Sequence, residues 1–485
     1  MVTTLETVQL TNDAVFNDLG KFNVLLGKNG SGKSSLLRAM DGQYVSNANL
    51  VRYITPERGG TLRYDGNIET NEGHDPSWLN QVRRKNQFNQ FRESSVLNFR
   101  RLEIQVLRAI ETEPDLRAST FTFDAEVEKI NTLLDRIKIR RADSQSFEVL
   151  DRENDQVISP ETLSSGESEL ISLAVEILLF ARLCRTPNYT PYTNWFLMDE
   201  PDVHLHPDLQ YRLMQLIASE FASLNNGRIL IATHSTSILS SLTNSVEELR
   251  IGFKVSGNPV VKYELASETL QKLLPMFGAH PLSSVFNQRP ILIVEGEDDE
   301  RIWSQVERTS KGRIKVFPCV AGDIQSIDAY EIMASRLIEA VYDNGVAYSI
   351  RDRDESTGDL SDAENVRRAR LACRAAENLV LSDDVLELLG TNWKTMKSEL
   401  ENWLKSNAGH VRFGNVEAFR SGGWNRKTHS IKEIRNLVVG LSGSNKPWEI
   451  AVGQAISGLS TSKHAGPNSL SAYLGSKVVS MLNLK

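Results

Sequence analysis

The chain has 485 residues, of which 40% are hydrophobic and 24% are charged. This length is too great for one ordinary hydrophobic core, so we expect two or three globular domains. The formal net charge of −7 excludes a general electrostatic attraction to nucleic acid. Any such binding would come from local basic patches or from metal ions that bridge carboxylates to phosphates.

The three cysteines lie far apart in the sequence and form no C-x-x-C pair. They predict neither a disulfide framework nor a zinc knuckle, which fits a reducing cytosol. The first residues, Met1–Glu6, lack the basic and apolar regions of a signal peptide. No apolar run approaches the about 20 residues that a membrane-spanning helix needs. We therefore expect a soluble, cytoplasmic protein without a membrane partner.

Residues 27–34 form the first motif, which reads G-K-N-G-S-G-K-S. An apolar strand pattern precedes it and a helical pattern follows, which is the context of a phosphate-binding loop. Its glycines let backbone N–H groups point at phosphates, Lys33 would reach the β- and γ-phosphates, and Ser34 would ligate Mg²⁺. The alternative, a glycine turn that binds nothing, fits this context poorly. The predicted ATP-binding residues of this loop are Gly27, Asn29, Gly30, Gly32, Lys33, Ser34 and Ser35.

Two basic stretches follow, residues 83–92 and 136–141. Basic residues interleaved with aromatic ones can hold a nucleic-acid backbone and stack bases. Such runs are more often a solvated face of the protein, and this interpretation is favoured here.

Three further motifs follow in order. Residues 163–168 read L-S-S-G-E-S before an apolar helix pattern, and the strand pattern Trp195–Met198 ends in Asp199 and Glu200. The latter is a Walker B pattern, in which Asp199 holds Mg²⁺ through water and Glu200 orients and deprotonates the attacking water. A last apolar strand pattern ends in His234.

The phosphate loop, L-S-S-G-E, D-E-P and the strand-end histidine resemble, in that order, the ABC-type ATPases over residues 1–255. They are most similar to the soluble branch that includes SMC- and RecF-like proteins. The resemblance implies that Ser165 and Gly166 of one protomer close over the γ-phosphate held by Lys33 of another. ATP would then join a homodimer or a higher homo-oligomer, and His234 would contact the γ-phosphate. His204 and His206 are expected to be structural, because no third metal ligand is in view.

Two features depart from the family pattern. The glutamine that senses Mg²⁺ has no clear match, although Glu57 lies near its place. About 105 residues separate Pro56 from Leu163, too few for the long coiled coil of a rod-shaped SMC protein.

The second half contains strand patterns that end in carboxylates. Glu295 and Asp299 follow one such pattern, and Asp352 and Asp354 follow another. Because alternating strands and helices predict a parallel sheet, whose sites collect at the carboxyl ends of its strands, these side chains are expected to meet. They would repel one another unless divalent cations lay between them, and oxygen ligands suit Mg²⁺ or Mn²⁺. The alternative is a set of acidic turns that cap helices.

E-G-x-x-D after one strand and D-x-D after another resemble the TOPRIM domain of topoisomerases, primases and nucleases. Later segments resemble TOPRIM-like domains of bacterial defence proteins, which implies that Glu377 is a further metal ligand and that Lys432 neutralises charge on the leaving phosphate. An ABC-type ATPase followed by TOPRIM resembles the OLD family, with the Gabija and PARIS defence proteins as relatives. The resemblance implies an ATP-controlled nucleic-acid endonuclease that acts against phage, with a companion defence protein.

The predicted fold is α/β: an ABC-type P-loop ATPase domain (1–255), a connector (256–289), a TOPRIM-like parallel domain (290–394) and a mainly helical C-terminal region (395–485). The predicted catalytic residues are Glu200, His234, Glu295, Asp352, Asp354 and Lys432. The predicted metal ligands are Ser34, Asp199, Glu295, Asp299, Asp352, Asp354 and Glu377, and the predicted cofactors are ATP, Mg²⁺ and, in the TOPRIM part, Mg²⁺ or Mn²⁺.

Several functions remain open at this stage. The favoured one is a nuclease whose substrate is nucleic acid, with DNA favoured over RNA. A DNA-repair ATPase with a non-cleaving TOPRIM module and an ATPase sensor that triggers action on RNA such as tRNA are the rivals. An ABC transporter subunit would need a membrane partner and ranks last.

Overall fold

A computed structural model describes residues 5–10, 14–44, 48–56, 91–117, 119–142, 147–255, 257–273, 290–322, 324–341, 345–356 and 358–484, with isolated positions between 67 and 78. The chain divides into two compact units, Met1–Pro281 and Leu282–Lys485. The predicted connector, residues 256–289, contains this division.

The first unit contains both strands and helices. They are β1 (Glu6–Gln9), β2 (Val15–Leu19), β3 (Phe22–Leu26), α1 (Lys33–Tyr44), β4 (Val51–Ile54), α2 (Phe91–Thr112), α3 (Pro114–Arg117), α4 (Phe123–Asn131), β5 (Ile137–Arg141), β6 (Phe147–Asp151), β7 (Val157–Ile158), α5 (Ser165–Cys184), β8 (Asn194–Asp199), α6 (Pro207–Ala222), β9 (Gly227–Thr233), α7 (Thr236–Ser245), β10 (Leu249–Phe253), β11 (Val260–Leu265) and α8 (Glu268–Leu273).

The main sheet of this unit has the strand order β1-β2-β11-β10-β3-β9-β8-β4 among the described residues. Its strands from β10 to β4 are all parallel. Every residue of β3 and of β8 is buried, as expected for strands that are covered on both faces. The remaining described strands, β5, β6 and β7, pair antiparallel in a small separate sheet.

The register of the parallel strands brings the ends of β3, β9, β8 and β4 to one edge. Leu26 pairs with Thr233, Asp199 pairs with Ala232, and Ile54 pairs with Met198. The segments that follow these strands therefore lie side by side.

Helix α5 and the hairpin β10–β11 complete this unit. Phe180 on α5 packs against Phe196 of β8 and Phe221 of α6, with ring centroids 5.1 and 5.7 Å apart. Strand β11 pairs with β10 and with β2, so part of the stretch that the sequence predicts as a connector is a strand of the main sheet of the first unit.

The second unit contains a parallel sheet followed by helices. Its elements are β12 (Ile291–Val294), α9 (Glu297–Thr309), β13 (Phe317–Val320), α10 (Ile324–Val341), β14 (Ala347–Arg351), β15 (Val366–Arg370), α11 (Asp383–Leu388), α12 (Trp393–Ser406), α13 (Phe413–Ser421), α14 (Arg435–Leu441), α15 (Trp448–Ser457), α16 (Leu470–Leu474) and α17 (Ser476–Met481), with a 3₁₀ helix at Ala376–Leu381 and another at Leu459–Thr461.

The described strands of this unit pair in the order β13-β12-β14-β15, all parallel. One hydrophobic cluster runs from Leu292 in β12 through Trp303 in α9 to Leu484. The strands and the C-terminal helices thus share a core, and the predicted boundary at residue 394 does not divide it.

Helix α15 approaches α9 closely at Gly453. A Cβ added there would lie 2.7 Å from the Ile302 carbonyl oxygen and 2.7 Å from Gln305 Cβ. Such distances are below van der Waals contact, so the absence of a side chain at Gly453 permits the packing of the two helices.

Within the described residues, no helix combines the length and the apolar character needed to cross a membrane.

Candidate nucleotide site and acidic cleft

The phosphate loop connects the buried strand β3 to helix α1. Gly30 and Gly32 have φ angles of +77° and +93°, in the left-handed region that favours glycine. Gly27 lies against the rest of the unit, because an added Cβ would meet Ser31 Oγ at 2.7 Å and the Lys254 carbonyl oxygen at 3.0 Å. The predicted residues Asn29 and Ser35 are exposed, at the loop tip and on the first turn of α1.

Lys33 is buried at the base of this loop, with 3% of the residue exposed. Its Nζ donates to the Gly27 carbonyl oxygen at 2.8 Å and to the Lys28 carbonyl oxygen at 3.1 Å. It also lies 3.3 Å from Glu200 Oε1. A phosphate would compete with these partners for the same ammonium group.

Asp199, the last residue of β8, is 0% exposed. Tyr53, next to the last residue of β4, donates its hydroxyl proton to Asp199 Oδ2 at 2.9 Å. The Ser34 hydroxyl is a second hydrogen-bond partner of this carboxylate. Burial raises the pKa of the Asp199 carboxyl, and the hydrogen bonds from Ser34 and Tyr53 oppose that rise.

Glu200 and His234 form the next pair along this edge. His234 Nδ1 lies 3.7 Å from Glu200 Oε1, and His234 Nε2 lies 3.7 Å from Asp202 Oδ2. His234, with a further effect of Lys33, lowers the pKa of Glu200. The Glu200 carboxylate, with a further effect of Asp202, raises the pKa of His234. Asp202 is fixed in turn, because it accepts a hydrogen bond from Thr233 Oγ1 at 2.7 Å.

The backbone of Glu200 has a φ of +47°, which is uncommon for a residue with a side chain. Its amide donates to the Ala232 carbonyl oxygen at 2.8 Å. The strained conformation thus places Glu200 between Lys33 and His234, where a general base for an attacking water is useful.

The L-S-S-G-E segment begins the 20-residue helix α5. Ser164 caps the helix in a reciprocal capping box with Glu167, and Arg136 donates to Glu167 Oε2 at 3.0 Å. Ser165 is exposed and Gly166 is buried. Ser165 thus lies exposed at a helix N-terminus, whose positive dipole suits a phosphate.

The residues present fit an ATP·Mg²⁺ complex. The Ser34 hydroxyl and the Asp199 carboxylate are adjacent oxygen donors, and Mg²⁺ is held by few protein oxygens together with phosphate oxygens and water. The glycine conformations leave the phosphate loop open to a phosphate chain. Bound Mg²⁺ would neutralise charge on the phosphates.

Glu57 and residues 83–90 lie outside the described residues. In the basic stretch 136–141, Lys138 pairs with Asp155, Arg140 with Glu148, and Arg141 with Glu103. Such pairing is what the solvated-face interpretation expects.

The second unit has an acidic cleft at the carboxyl edge of its sheet. The cleft measures about 770 Å³. Six carboxylate residues and one lysine line it, namely Glu295, Glu297, Asp298, Asp299, Asp352, Glu377 and Lys432. They come from the ends of β12 and β14, from the start of α9, from the 3₁₀ helix after β15, and from the segment before α14.

The negative charges in this acidic cleft act on one another. Burial raises the pKa of Asp299 to about 7, and Glu295 and Glu377 add to the rise. Burial, and then the charges of Asp299 and Glu295, raise the pKa of Asp352 well above its ordinary value. Such repulsion is relieved by protons or by bound cations.

Three of these carboxylates accept hydrogen bonds from backbone amides. Glu295 accepts from the Asp352 amide at 3.1 Å, Asp299 from the Gly296 amide at 3.2 Å, and Asp352 from the Ala376 amide at 3.0 Å. Among the described residues, no three His, Cys, Asp or Glu side chains are arranged so that they could hold a metal ion. The oxygen ligands of the cleft suit a hard cation, but Glu295, Asp299 and Asp352 accept hydrogen bonds from backbone amides in this structure.

Asp354 stands apart from the other predicted ligands. It is exposed, has a φ of +47°, and does not line the acidic cleft. Its amide donates to the Arg374 carbonyl oxygen at 2.8 Å, which fixes the D-x-D turn. Asp354 acts on the cleft through its charge, since it raises the pKa of Glu295 in addition to the effect of burial.

Sequence reasoning missed Tyr53, Asp202 and Arg435. Arg435 lies 3.0 Å from Asp298 and 3.9 Å from Glu377, and its guanidinium lies over the Trp448 ring at 5.5 Å. Asp202 could have been found as the third residue after Asp199. Tyr53 and Arg435 have no signal in the sequence, because their contacts arise only when distant elements pack.

A phosphate loop, an Asp–Glu strand end and a strand-end histidine lie at the ends of neighbouring parallel strands. This arrangement is similar to that of P-loop ATPases of the ABC type. A family model matches residues 60–240, described as "AAA domain, putative AbiEii toxin, Type IV TA system". This match includes the L-S-S-G-E segment, the Walker B strand and His234. No curated protein matches the sequence significantly.

Solved structures of SMC heads are also similar to this chain. The SMC head domain from Thermotoga maritima is 16% identical, with 34% of this chain and 52% of that chain covered and a TM-score of 0.22. An Smc head domain with a coiled coil and joint derived from Pyrococcus yayanosii is 14% identical, with 43% and 34% covered and a TM-score of 0.23. An SmcHead bound to the C-winged helix domain of ScpA is 17% identical, with 54% and 97% covered and a TM-score of 0.30. The chain spans about half or less of the first two, and at these TM-scores the likeness supports no functional conclusion.

Proposed function

We propose that this chain is an ABC-type ATPase whose second unit is a TOPRIM-like, metal-dependent nuclease of the OLD type, acting on nucleic acid in defence against phage. The observation that carries the nuclease proposal is the convergence of Glu295, Asp299, Asp352 and Glu377 in one acidic cleft with Lys432. The matched family description names a toxin of a type IV toxin–antitoxin system, and a defence role is consistent with it.

In the ATPase half, the roles follow from position. Lys33 would bind the β- and γ-phosphates, Ser34 and Asp199 would hold Mg²⁺, and Glu200 would accept the proton of the attacking water. His234 would orient Glu200 and contact the γ-phosphate. Ser165 and Gly166 of a second protomer would close the site, so that ATP joins two copies of the chain.

In the nuclease half, Glu295, Asp299, Asp352 and Glu377 would hold Mg²⁺ or Mn²⁺. Cations there supply Lewis-acid chemistry to a phosphodiester. Glu295, Asp299 and Asp352 would have to exchange their backbone amide hydrogen bonds for the cation. Lys432 would stabilise negative charge on the phosphate, and Arg435 would hold Glu377 and Asp298 in place.

A second candidate is an ATPase whose TOPRIM-like unit binds without cleaving. The direction of three carboxylates toward backbone amides favours it. This candidate predicts that nucleic acid stimulates ATP hydrolysis and that no nucleic-acid substrate is cleaved.

The two candidates are separated by a cleavage assay. The full chain is incubated with supercoiled plasmid or tRNA, with Mg²⁺ or Mn²⁺, and with or without ATP. We expect the unaltered chain to cleave one of these substrates. Asp352→Asn should reduce the cleavage rate at least about 100-fold, because a cation ligand is lost. Lys33→Ala should change the cleavage rate, because nucleotide control is lost.

The matched control is Asp359→Asn, on the loop after β14, where Asp359 pairs with Arg353 at 3.3 Å and does not line the acidic cleft. This variant should cleave as the unaltered chain does. ATP hydrolysis without cleavage of any substrate would contradict the nuclease proposal and support the second candidate.

A further inference from the structure

The Walker B aspartate has a hydrogen-bond donor on a neighbouring strand. Tyr53 Oη donates to Asp199 Oδ2 at 2.9 Å, and the two residues are 1% and 0% exposed. A phenol is protonated at neutral pH, so the Tyr53 hydroxyl is a donor. A hydrogen bond between a buried phenol and a buried carboxylate is strong, because no water competes for either group.

Strand pairing places the two residues close together. Strands β4 and β8 are parallel, and Tyr53 pairs with Leu197, two residues before Asp199. Tyr53 therefore lies beside the end of β8, from which Asp199 extends toward Ser34. With Oδ2 occupied by the phenol, the carboxylate can rotate little.

We propose that Tyr53 is a positioning residue for the Mg²⁺ of the nucleotide site, which it serves by fixing the Asp199 carboxylate. This inference rests on the proposed role of Asp199 as a holder of Mg²⁺. Outer-shell partners of this kind orient ligating carboxylates, and their loss weakens metal binding about 10- to 100-fold. Tyr53 also connects the metal site to strand β4. In the sequence, this strand precedes the region near Glu57 in which the family's Mg²⁺-sensing glutamine has no clear match.

Tyr53→Phe tests the inference, because it removes one oxygen and leaves the ring. The chain offers a matched control in Tyr263, which is 1% exposed on strand β11 of the same sheet. Its hydroxyl has no hydrogen-bond partner among the described residues. Tyr263→Phe thus removes a buried hydroxyl that does not touch Asp199.

The measurement is calorimetric binding of a non-hydrolysable ATP analogue to the full chain, once in Mg²⁺ and once in EDTA. For Tyr53→Phe we expect the affinity in Mg²⁺ to fall about tenfold, with the affinity in EDTA unchanged. Tyr263→Phe should match the unaltered chain in both conditions. Circular dichroism and thermal melting establish that each variant is folded.

Three results would overturn the inference: unchanged affinity of Tyr53→Phe in Mg²⁺, an equal loss in Mg²⁺ and in EDTA, or the same loss in Tyr263→Phe. The Asp199→Asn variant distinguishes a wrong role for Tyr53 from a wrong assignment of Asp199 as a holder of Mg²⁺. If Asp199→Asn loses the Mg²⁺-dependent affinity and Tyr53→Phe does not, only the role of Tyr53 is wrong. If Asp199→Asn retains it, the assignment of Asp199 itself fails.

Discussion

Glu200 lies between two basic groups, with Lys33 at 3.3 Å and His234 at 3.7 Å. The two partners keep the carboxylate anionic, and an anionic carboxylate is required of a general base. Since the phosphates of ATP attract Lys33, nucleotide binding would loosen one side of this arrangement and leave Glu200 paired with His234. Without nucleotide, Lys33 therefore restrains Glu200, the proposed general base.

Glu200→Gln should abolish hydrolysis and preserve binding. Glutamine has the shape of glutamate but cannot accept the proton of water, so we expect ATP turnover to fall at least about 100-fold. Phosphate release measures turnover, and calorimetry with ATP should give an affinity within about threefold of the unaltered chain. Glu153→Gln, an exposed residue outside the site, is the control. A variant that still hydrolyses ATP at the normal rate would show that another group is the base.

At the scale of elements, the convergence of the candidate nucleotide-site residues was predictable from the sequence. Several of the side chains that contact them were not. The order of motifs along the chain, each after an apolar strand, predicts that Lys33, Asp199 and His234 meet, because parallel strands end at one edge. The side-chain contact of Tyr53 with Asp199 depends on which strand lies beside β8, and the sequence does not specify that neighbour.

In the acidic cleft, too, the sequence predicted the carboxylates but not their contacts and exposure. Its four main carboxylates were predicted from strand ends and from a family resemblance. The exposure of Asp354 was not predicted, because it depends on a turn with positive φ. The contact of Arg435 with Asp298 depends on the packing of a C-terminal helix.

The close approach of α9 and α15 gives a prediction for stability. Gly453→Ala places a methyl group 2.7 Å from the Ile302 carbonyl oxygen, and we expect a loss of about 1–3 kcal/mol in the free energy of unfolding. Gly440→Ala is the control, because Gly440 lies in helix α14 with no neighbour near an added Cβ. It should be neutral or stabilise by up to about 1 kcal/mol. Thermal unfolding of both variants measures the difference, and equal melting temperatures would contradict the packing argument.

Helix α17 is tied to the start of β15 by Asp362. Its carboxylate lies 3.0 Å from Lys477 and 3.0 Å from Arg367, and it accepts from the Arg368 amide at 3.1 Å. Burial would raise the pKa of Asp362, but the Arg368 amide, Lys477 and Arg367 lower it to about 2. A lowered pKa means that the stabilisation is present above pH 4 and is lost as the pH falls toward 2.

Asp362→Asn should therefore destabilise the chain by about 0.5–1 kcal/mol at pH 7, a value reduced for solvent screening. The difference from the unaltered chain should narrow as the pH falls below 4. Thermal melts between pH 3 and pH 7 measure it. A difference that is constant over this range would show that the charge of Asp362 is not the cause.

At the scale of the whole molecule, the proposed closing of the nucleotide site requires a second copy of the chain. Ser165 is exposed at a helix N-terminus that suits phosphate, and the proposed closed site needs this residue from a second copy. ATP should therefore convert monomers of the Glu200→Gln variant into dimers or larger oligomers, as measured by light scattering after size-exclusion chromatography.

Adding Ser165→Arg to this variant should prevent the ATP-driven change, because the long side chain blocks the approach of a phosphate. Adding Asn188→Arg, which changes an exposed residue beyond the other end of α5, should leave it intact. ATP-driven assembly that survives Ser165→Arg would place the interface elsewhere.

The proposal as a whole depends on the binding of cations in the acidic cleft. The direct measurement is a titration of the Lys33→Ala chain with Mn²⁺ in the absence of nucleotide. Electron paramagnetic resonance measures the concentration of free Mn²⁺ at each step. We predict saturable binding of at least one Mn²⁺ per chain, which Asp352→Asn weakens at least about tenfold and Asp359→Asn leaves unchanged. Absence of saturable binding at millimolar Mn²⁺, or binding that Asp352→Asn does not alter, would contradict the account.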